Sequence, residues 1–492
     1  MLLRHASHYL SASIVSAGLG LISVVVFTRA LSDAEYGIYV IGTSTAGILS
    51  AILFAWIRLS VLRFQSEGKS VDVRATALFG YALAVLISPF FLLLAAYLTN
   101  ASATRMIATA IFTLGLGMFD VGQEILKAQQ KTRSFMAGTI LRAGSAFLLC
   151  LGSVAAGFGG VGQLAAAGAA YFLTSALLSR SVWSGPVAPI DLTQLKRFTR
   201  YGVPIALSGC VYSLHAALDR LIVAGVLGEA AAGQYGAAAD LVRQIILVPS
   251  TSIASAILPL AVAAFAQGGI AAARPHLERS AELLFAVLLP ATIGLAMISS
   301  DLAKLVLGPD FRATGAEVMP ILCFAWLFQA LSQSFVHTSF HLAQRPALLL
   351  CHGAVTLVVN VGATLILVTR LGFLGAALAL AVSEAFGMFS GLVLTRFAVP
   401  LPLVPMRLLR IAFSTAAMAL VLRLGEDHLF LTGVPLLCVK IIAGVAIYAG
   451  FILLFDIAGL RRSARAFLTE MSRRYRDQST RAKARGSASS LT

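Results

Sequence analysis

The sequence predicts an all-α integral membrane protein of about fourteen transmembrane helices, with two pseudo-symmetric six-helix lobes followed by two further helices. Three observations carry this. Of 492 residues, 59% are hydrophobic and only 12% charged, about half the charged fraction of a soluble domain; mean hydropathy is +0.89. Apolar runs recur along the whole chain, each near the ~20 residues that cross a bilayer as a helix. They are apolar all round, which excludes the alternating strands of a membrane β-barrel. Finally, the chain restarts its own pattern near its middle. Leu31-Ser32-Asp33-Ala34-x-x-Gly37-x-Tyr39 returns as Leu227-Gly228-Glu229-Ala230-x-x-Gly233-x-Tyr235.

Taken in order, the spans fall at 8–29, 37–58, 75–98, 104–124, 135–156, 162–182, 201–226, 233–264, 279–300, 317–340, 347–369, 373–396, 408–424 and 433–457. The first follows a single early Arg4 and is too long for a signal-peptide core, so it is expected to remain as a span. The eighth is too long for one straight crossing. Either Pro249 and Pro259 kink it, or its end projects into the cytoplasm. Ala128-Gln129-Gln130 returns as Ala343-Gln344-Arg345, and Gly157-Phe158-x-Gly160 returns as Gly372-Phe373-x-Gly375. These two matches share one offset and sit in equivalent loops. Spans one to six therefore repeat as seven to twelve in the same orientation, an arrangement that typically flanks a substrate path. The expected division is an N-terminal lobe with its linker (1–200), a C-terminal lobe (201–400), two additional helices (401–460) and a basic tail (461–492).

The net charge of +16, from 37 basic and 21 acidic residues, is explained by where the charges sit. Loops on one side and their edges hold Arg58, Arg63, Lys69, Arg74, Lys127, Lys131, Arg133, Arg180, Lys196, Arg197, Arg200, Arg274, Arg279, Arg345, Arg396, Arg407 and Arg410. The other side holds Arg29, Arg105, Lys304, Arg312, Arg370 and Arg423. The excess of Lys and Arg marks the cytoplasmic side, so both termini are expected in the cytoplasm. The basic charge then reports topology and attraction to membrane lipids, and no nucleic acid is expected as a partner. The beginning of the tail reads as a short amphipathic helix on the inner leaflet. Cys150, Cys210, Cys323, Cys351 and Cys438 lie in apolar segments without a CxxC pair, which reads as buried thiols with neither disulfides nor a metal site. The chain shows no Gly-rich phosphate loop, metal-ligand cluster or nucleophile–base motif. It therefore reads as a non-enzyme without a cofactor. Without a P-loop, any energy the chain needs would come from an H⁺ or Na⁺ gradient, or from downstream consumption of product.

Four stretches carry a family resemblance. They are the turn Leu31–Tyr39, the segment Leu126–Arg133 after the fourth span, Asp219-Arg220 late in the seventh, and Leu307–Phe311 after the ninth. With them the chain resembles, over nearly its whole length, the O-antigen and exopolysaccharide flippases of polysaccharide biosynthesis. These belong to the multidrug/oligosaccharidyl-lipid/polysaccharide (MOP) exporter superfamily. The resemblance implies paired lobes that open alternately to the two sides of a bacterial plasma (inner) membrane. It implies as cargo an undecaprenyl-diphosphate-linked oligosaccharide, flipped from the cytoplasmic to the periplasmic leaflet for cell-surface polysaccharide. A polysaccharide polymerase and other proteins of the biosynthetic cluster are the implied partners. Three alternatives are a cation-coupled multidrug and toxin exporter of the same superfamily, a flippase for lipid II or another lipid-linked precursor, and a polytopic membrane polysaccharide polymerase.

A charge at mid-membrane costs at least ~2.5–3.5 kcal/mol, so such residues normally face an interior or a water-filled path. Arg142 in the fifth span is a candidate to receive a diphosphate, since a planar guanidinium donates to phosphate bidentately. Glu384 lies near the middle of the twelfth span, as a cavity residue or as half of a structural ion pair. Asp240 and Arg243 share a face of the eighth, either bridging each other or lining a cavity. Asp219 and Arg220 point to different sides of the seventh, where Arg220 either binds substrate or snorkels to the interface. His215, one turn before Asp219, is a proton-relay candidate or a packing histidine. The substrate candidates are thus Arg142, Arg220, Arg243 and Glu384, and the coupling candidates His215, Asp219 and Asp240. These assignments rest on depth, because no residue-level motif of the family maps onto Arg142 or Arg243. Arg58, Glu124 and Glu282, at span ends, read as interfacial anchors. Three deep arginines against three deep acids suit an anionic cargo better than a cationic drug.

Overall fold

The structure is a computed structural model that describes residues 2–65, 72–402, 404–426 and 432–457, with side chains from residue 15 onward except at 208. The basic tail, 461–492, whose beginning is expected as an amphipathic helix, lies outside the described residues. Among these residues every regular element is helical. The helices are α1 (Leu2–Ala30), α2 (Asp33–Gln65), α3 (Arg74–Thr99), α4 (Ala103–Ala128), α5 (Thr132–Ala155), α6 (Gly159–Val182), α7 (Leu192–Leu227) and α8 (Glu229–Val306). They continue as α9 (Arg312–Leu331), α10 (His337–Leu342), α11 (Pro346–Leu394), α12 (Pro405–Glu426) and α13 (Gly433–Phe455). A single π turn, Ser332–Val336, joins α9 to α10. Among the described residues eleven helical stretches are long and apolar enough to cross a membrane, and Val15–Ala30 adds a shorter apolar one.

Local chemistry sets the helix ends. Ser102 caps α4 by accepting from the Arg105 amide, and Asp191 caps α7 by accepting from the Thr193 amide at 2.8 Å. Asp33 and Glu35 open α2, and Glu229 opens α8, where the helix dipole favours anions. Two pairs of expected spans are joined end to end, not separated by loops. In α8 the backbone leaves the helical region only at Gly268 and Gly269, and in α11 only at Gly372, at φ 58°. Pro249 and Pro259 therefore do not break the helix. The first limb of α8 (229–267) runs ~60 Å at 1.5 Å per residue, well beyond a bilayer core.

The halves repeat helix by helix. In the first, α2 packs on α4, α4 on α6, α5 on α6, and α1 on α5. In the second, α8 packs on α9, α9 on α11, and α7 on α11. The two halves meet where α2 lies against α7 and α8, and where α1 lies against α8. The repeated turns explain that junction. A Cβ on Gly37 would strike the Glu229 carbonyl, and one on Gly233 would strike the Asp33 carbonyl, so two copies of one motif cross reciprocally with no room for a side chain.

The turns also correct the repeat register by one residue. Gln130 and Gln344 both take positive φ, 56° and 53°. The closing bonds Lys131 N→Leu126 O and Arg345 N→Phe340 O match in the same register. Gln130 thus pairs with Gln344, not with Arg345.

The last two helices lie on the second limb of α8 (270–306). Lys440 pairs with Asp301 at 2.8 Å, Arg407 with Glu282 at 3.1 Å, and Tyr448 donates to the Ala286 carbonyl at 2.7 Å. Glu282 is therefore a helix-to-helix tie, not an anchor in the interface. Of the cysteines all are free thiols; Cys150 and Cys323 are buried as expected, whereas Cys351 and Cys438 are exposed and Cys210 is partly so.

Candidate translocation cavity

Charged side chains tie down the end of the bundle that carries the α2–α3, α4–α5 and α6–α7 connections. Buried Arg74 donates to the carbonyls of Val182, Ser184 and Pro186, and to both oxygens of Asp72. Burial raises the Asp72 carboxyl, but hydrogen bonds from Arg74 and the Ala188 amide outweigh it and hold the group below its ordinary value. Lys131 donates to the Ser181 carbonyl at the end of α6 and to the Ser184 hydroxyl just beyond it.

The opposite end, with the α1–α2 and α7–α8 turns, is latched across the halves. Arg105 of α4 pairs with Glu229 of α8, and Arg29 of α1 with the Leu305 carbonyl. Gln234 donates to Asp33 at 2.6 Å while accepting from Thr314 at 2.5 Å.

Behind that latch, between α1, α2, α5 and α6 of the first half and α8 of the second, lies a cavity of about 560 Å³. Arg142, Asp240, Gln163, Gln244, Ser16, Thr139 and Thr251 give it polar walls; Phe27, Tyr36, Tyr39 and Phe147 give it aromatic ones. Arg142 is aimed by a 2.8 Å bond to Ser16 and by Tyr171, whose ring centre is 5.7 Å from the guanidinium carbon. Gln163 is buried, its side-chain amide oxygen without a protein partner. A second cavity of about 300 Å³, between α2, α4 and α7, holds Arg58, Asp120 and Glu124. There Arg58 pairs with Asp120 at 2.7 Å, so it is no simple anchor.

The remaining candidates divide into two groups. Arg220 is buried and bonded to Asp240 at 2.6 Å, which removes the snorkelling alternative and replaces the expected Asp240–Arg243 bridge. Asp219 turns the other way and accepts from Tyr235 at 3.0 Å. Arg243 is exposed, its guanidinium over Trp326 at 5.6 Å. The structure thus brings Arg142, Asp240 and, through Asp240, Arg220 to one space. His215 and Glu384 form a separate buried pair at 2.7 Å, and Gln329 donates to the same carboxylate oxygen at 2.6 Å. Sequence reasoning passed over Asp120, Gln163, Gln244, Gln329 and the cluster of Tyr212, His337 and His352. Their only signal was a polar residue interrupting an apolar run. Among the described residues no three His, Cys, Asp or Glu side chains are grouped to hold a metal ion.

A family model described as polysaccharide biosynthesis protein matches residues 13–314. The chain belongs to this family. No curated protein matches it. Among solved structures it resembles a lipid II flippase MurJ in an inward closed conformation, with TM-score 0.76 at 15% identity over 91% of this chain and 98% of that one. An inward-facing MATE-family multidrug resistance transporter of the MOP superfamily gives 0.60 at 16% identity, over 82% and 96%. A MOP superfamily transporter from Pyrococcus furiosus, titled for the reverse polarity of its binding pocket, gives 0.51 at 16% identity, over 83% and 96%. This member of the polysaccharide biosynthesis family thus has the fold of MOP transporters, and it is a multi-pass membrane protein.

Proposed function

We propose that the protein flips undecaprenyl-diphosphate-linked oligosaccharide from the cytoplasmic to the periplasmic leaflet of a bacterial inner membrane, by alternating access between its halves. The observation that carries this reading is the 560 Å³ cavity between the halves, where Arg142 faces amides, hydroxyls and aromatic rings. Hydroxyl-rich sugars are bound by such mixtures of hydrogen-bonding and flat apolar groups, and a diphosphate is bound by arginine. The other deep cation at the cavity, Arg220, is already neutralised by Asp240, leaving Arg142 to meet the phosphate.

The excess of basic residues at one end makes that end cytoplasmic. The latched turns are then periplasmic, and the present conformation is closed to the outside. Transport requires the opposite state, in which Arg105–Glu229 and Asp33–Gln234 part. The buried His215–Glu384 pair can hold one shared proton, and its gain or loss changes the charge inside the second half. Proton uptake there is the coupling step in this scheme. The substrate reaches the protein from the membrane, and a polymerase of the same biosynthetic cluster consumes it.

Deleting the gene in its native host and probing the lipid-linked glycan with a membrane-impermeant reagent tests the proposal. Accumulation of glycan inaccessible from the periplasm is the expected result, and its released sugar names the substrate. Unchanged exposure together with hypersensitivity to cationic drugs would move the protein to the drug-export branch.

A further inference from the structure

The second half carries a polar cluster that the transport scheme does not use. Tyr212 Oη, His337 Nε2 and His352 Nδ1 converge from α7, α10 and α11, and each is 3.3 Å from the other two. These edges are long for hydrogen bonds, and the single phenolic proton also has the Leu349 carbonyl at 3.2 Å. Three donors at the corners of a tetrahedron around an ion ~2.0–2.1 Å from each would stand ~3.3 Å apart.

The surroundings are arranged for the same purpose. His352 Nε2 lies 2.9 Å from the Gly387 carbonyl, which can only accept, so the proton is on Nε2 and the Nδ1 lone pair faces the triangle. A ligating imidazole typically donates its other N–H to a carbonyl in this way. The Tyr212 ring lies 3.1 Å from where a Cβ of Gly353 would stand, and the His352 ring 2.9 Å from that of Gly391, so two glycines make room for the donors. His337 follows directly on the π turn Ser332–Val336, a local irregularity frequent at functional sites. Glu384 places a buried carboxylate on the same helix limb as Gly387, which favours a cation nearby. The fold alone does not demand the cluster. In the register of the turns, its counterparts in the first half are Ser16, Gln123 and Gly138.

We propose that Tyr212, as its phenolate, His337 and His352 form a binding site for a divalent transition metal ion, with the phenolic proton released to solvent as the ion binds; the two imidazoles and the tetrahedral spacing suit Zn²⁺. His337 lies five residues before the end of α10 and His352 six after the start of α11, so the ion enters from the end of the bundle that carries the α10–α11 turn. Its fourth ligand is water. Bound there, it clamps α7, α10 and α11 together within the second half. The site does not depend on what the protein transports.

The test is a Co²⁺ titration of the full-length protein, purified through a histidine-free tag in chelator-treated buffer, followed by Zn²⁺ displacement. One equivalent with the intense visible bands of tetrahedral Co²⁺ is expected. His337→Gln and His352→Gln should abolish them, Tyr212→Phe should weaken affinity, and His276→Gln should change nothing. Wild-type protein without a tetrahedral band, or a band surviving in both histidine variants, overturns the proposal. Should those variants fail to fold, X-ray absorption of the zinc-loaded wild type decides. Two imidazoles in the first shell support the site, and fewer exclude it.

Discussion

The two halves repeat one set of helices and fill it with different chemistry. In the register of their turns, His215 and Glu384 of the second half correspond to Leu19 and Ala169 of the first. His337 and His352 correspond to Gln123 and Gly138; there too the two positions touch, since a Cβ on Gly138 would meet the Gln123 amide. Conversely, Arg142 of the first half corresponds to Thr356 of the second, buried and bonded to its own helix. The first half therefore turns a charge toward an open cavity, and the second turns its polar groups on one another. In the proposed scheme the first half meets the cargo and the second carries the switch.

The largest expected effect tests the cavity side. Arg142→Ala should abolish flipping while leaving the folded protein intact, and Arg142→Lys should keep only part of the activity, because an ammonium cannot grip a diphosphate bidentately. Arg243→Ala is expected to impair transport as well, by removing the exposed cation over Trp326. Arg220→Ala acts on stability instead. Leaving Asp240 and buried Asp219 without their cation should cost about 3 kcal/mol, seen as a lower melting temperature in detergent. The exchanged double variant Arg220→Asp with Asp240→Arg should recover part of it.

At the crossing of the repeats, Gly37→Ala should disfavour the present closed state by about 1–3 kcal/mol, since the added methyl strikes the Glu229 carbonyl. Cysteines placed at Asp33 and Gln234 read this out, and their cross-linking should fall. Glu229→Gln removes only a half-exposed ion pair with Arg105, worth about 1 kcal/mol, so its shift of the same cross-link should be smaller. The pH effect comes last. Asp72 is held below its ordinary value, so its contribution is present above the usual carboxylate range and is lost as pH falls through the lowered value. Acid unfolding should begin at a higher pH in Arg74→Ala.

Much of this was legible from residues alone. Hydropathy marked the chain as a bundle of membrane helices, and the repeat pointed to Gly37 and Gly233 before their contact was visible. The register slipped by one residue because Gln129 and Gln344 match by type, whereas a turn is defined by which residue takes positive φ. Partners of deep charges were the least legible part. Arg220 chose Asp240, twenty positions away, over adjacent Asp219 because α8 packs beside α7; sequence spacing describes neighbours on one helix only. Glycines at 268, 269 and 372 joined limbs that hydropathy had separated.

The central claim is that Arg142 handles an anionic lipid-linked glycan in a cavity between two alternately opening halves. Its most direct test reconstitutes wild-type protein and Arg142→Ala in liposomes with labelled undecaprenyl-diphosphate oligosaccharide and follows the label's accessibility from outside. Transfer by wild type and none by the variant, with equal melting temperatures, is the predicted result. Equal transfer by both would contradict the account.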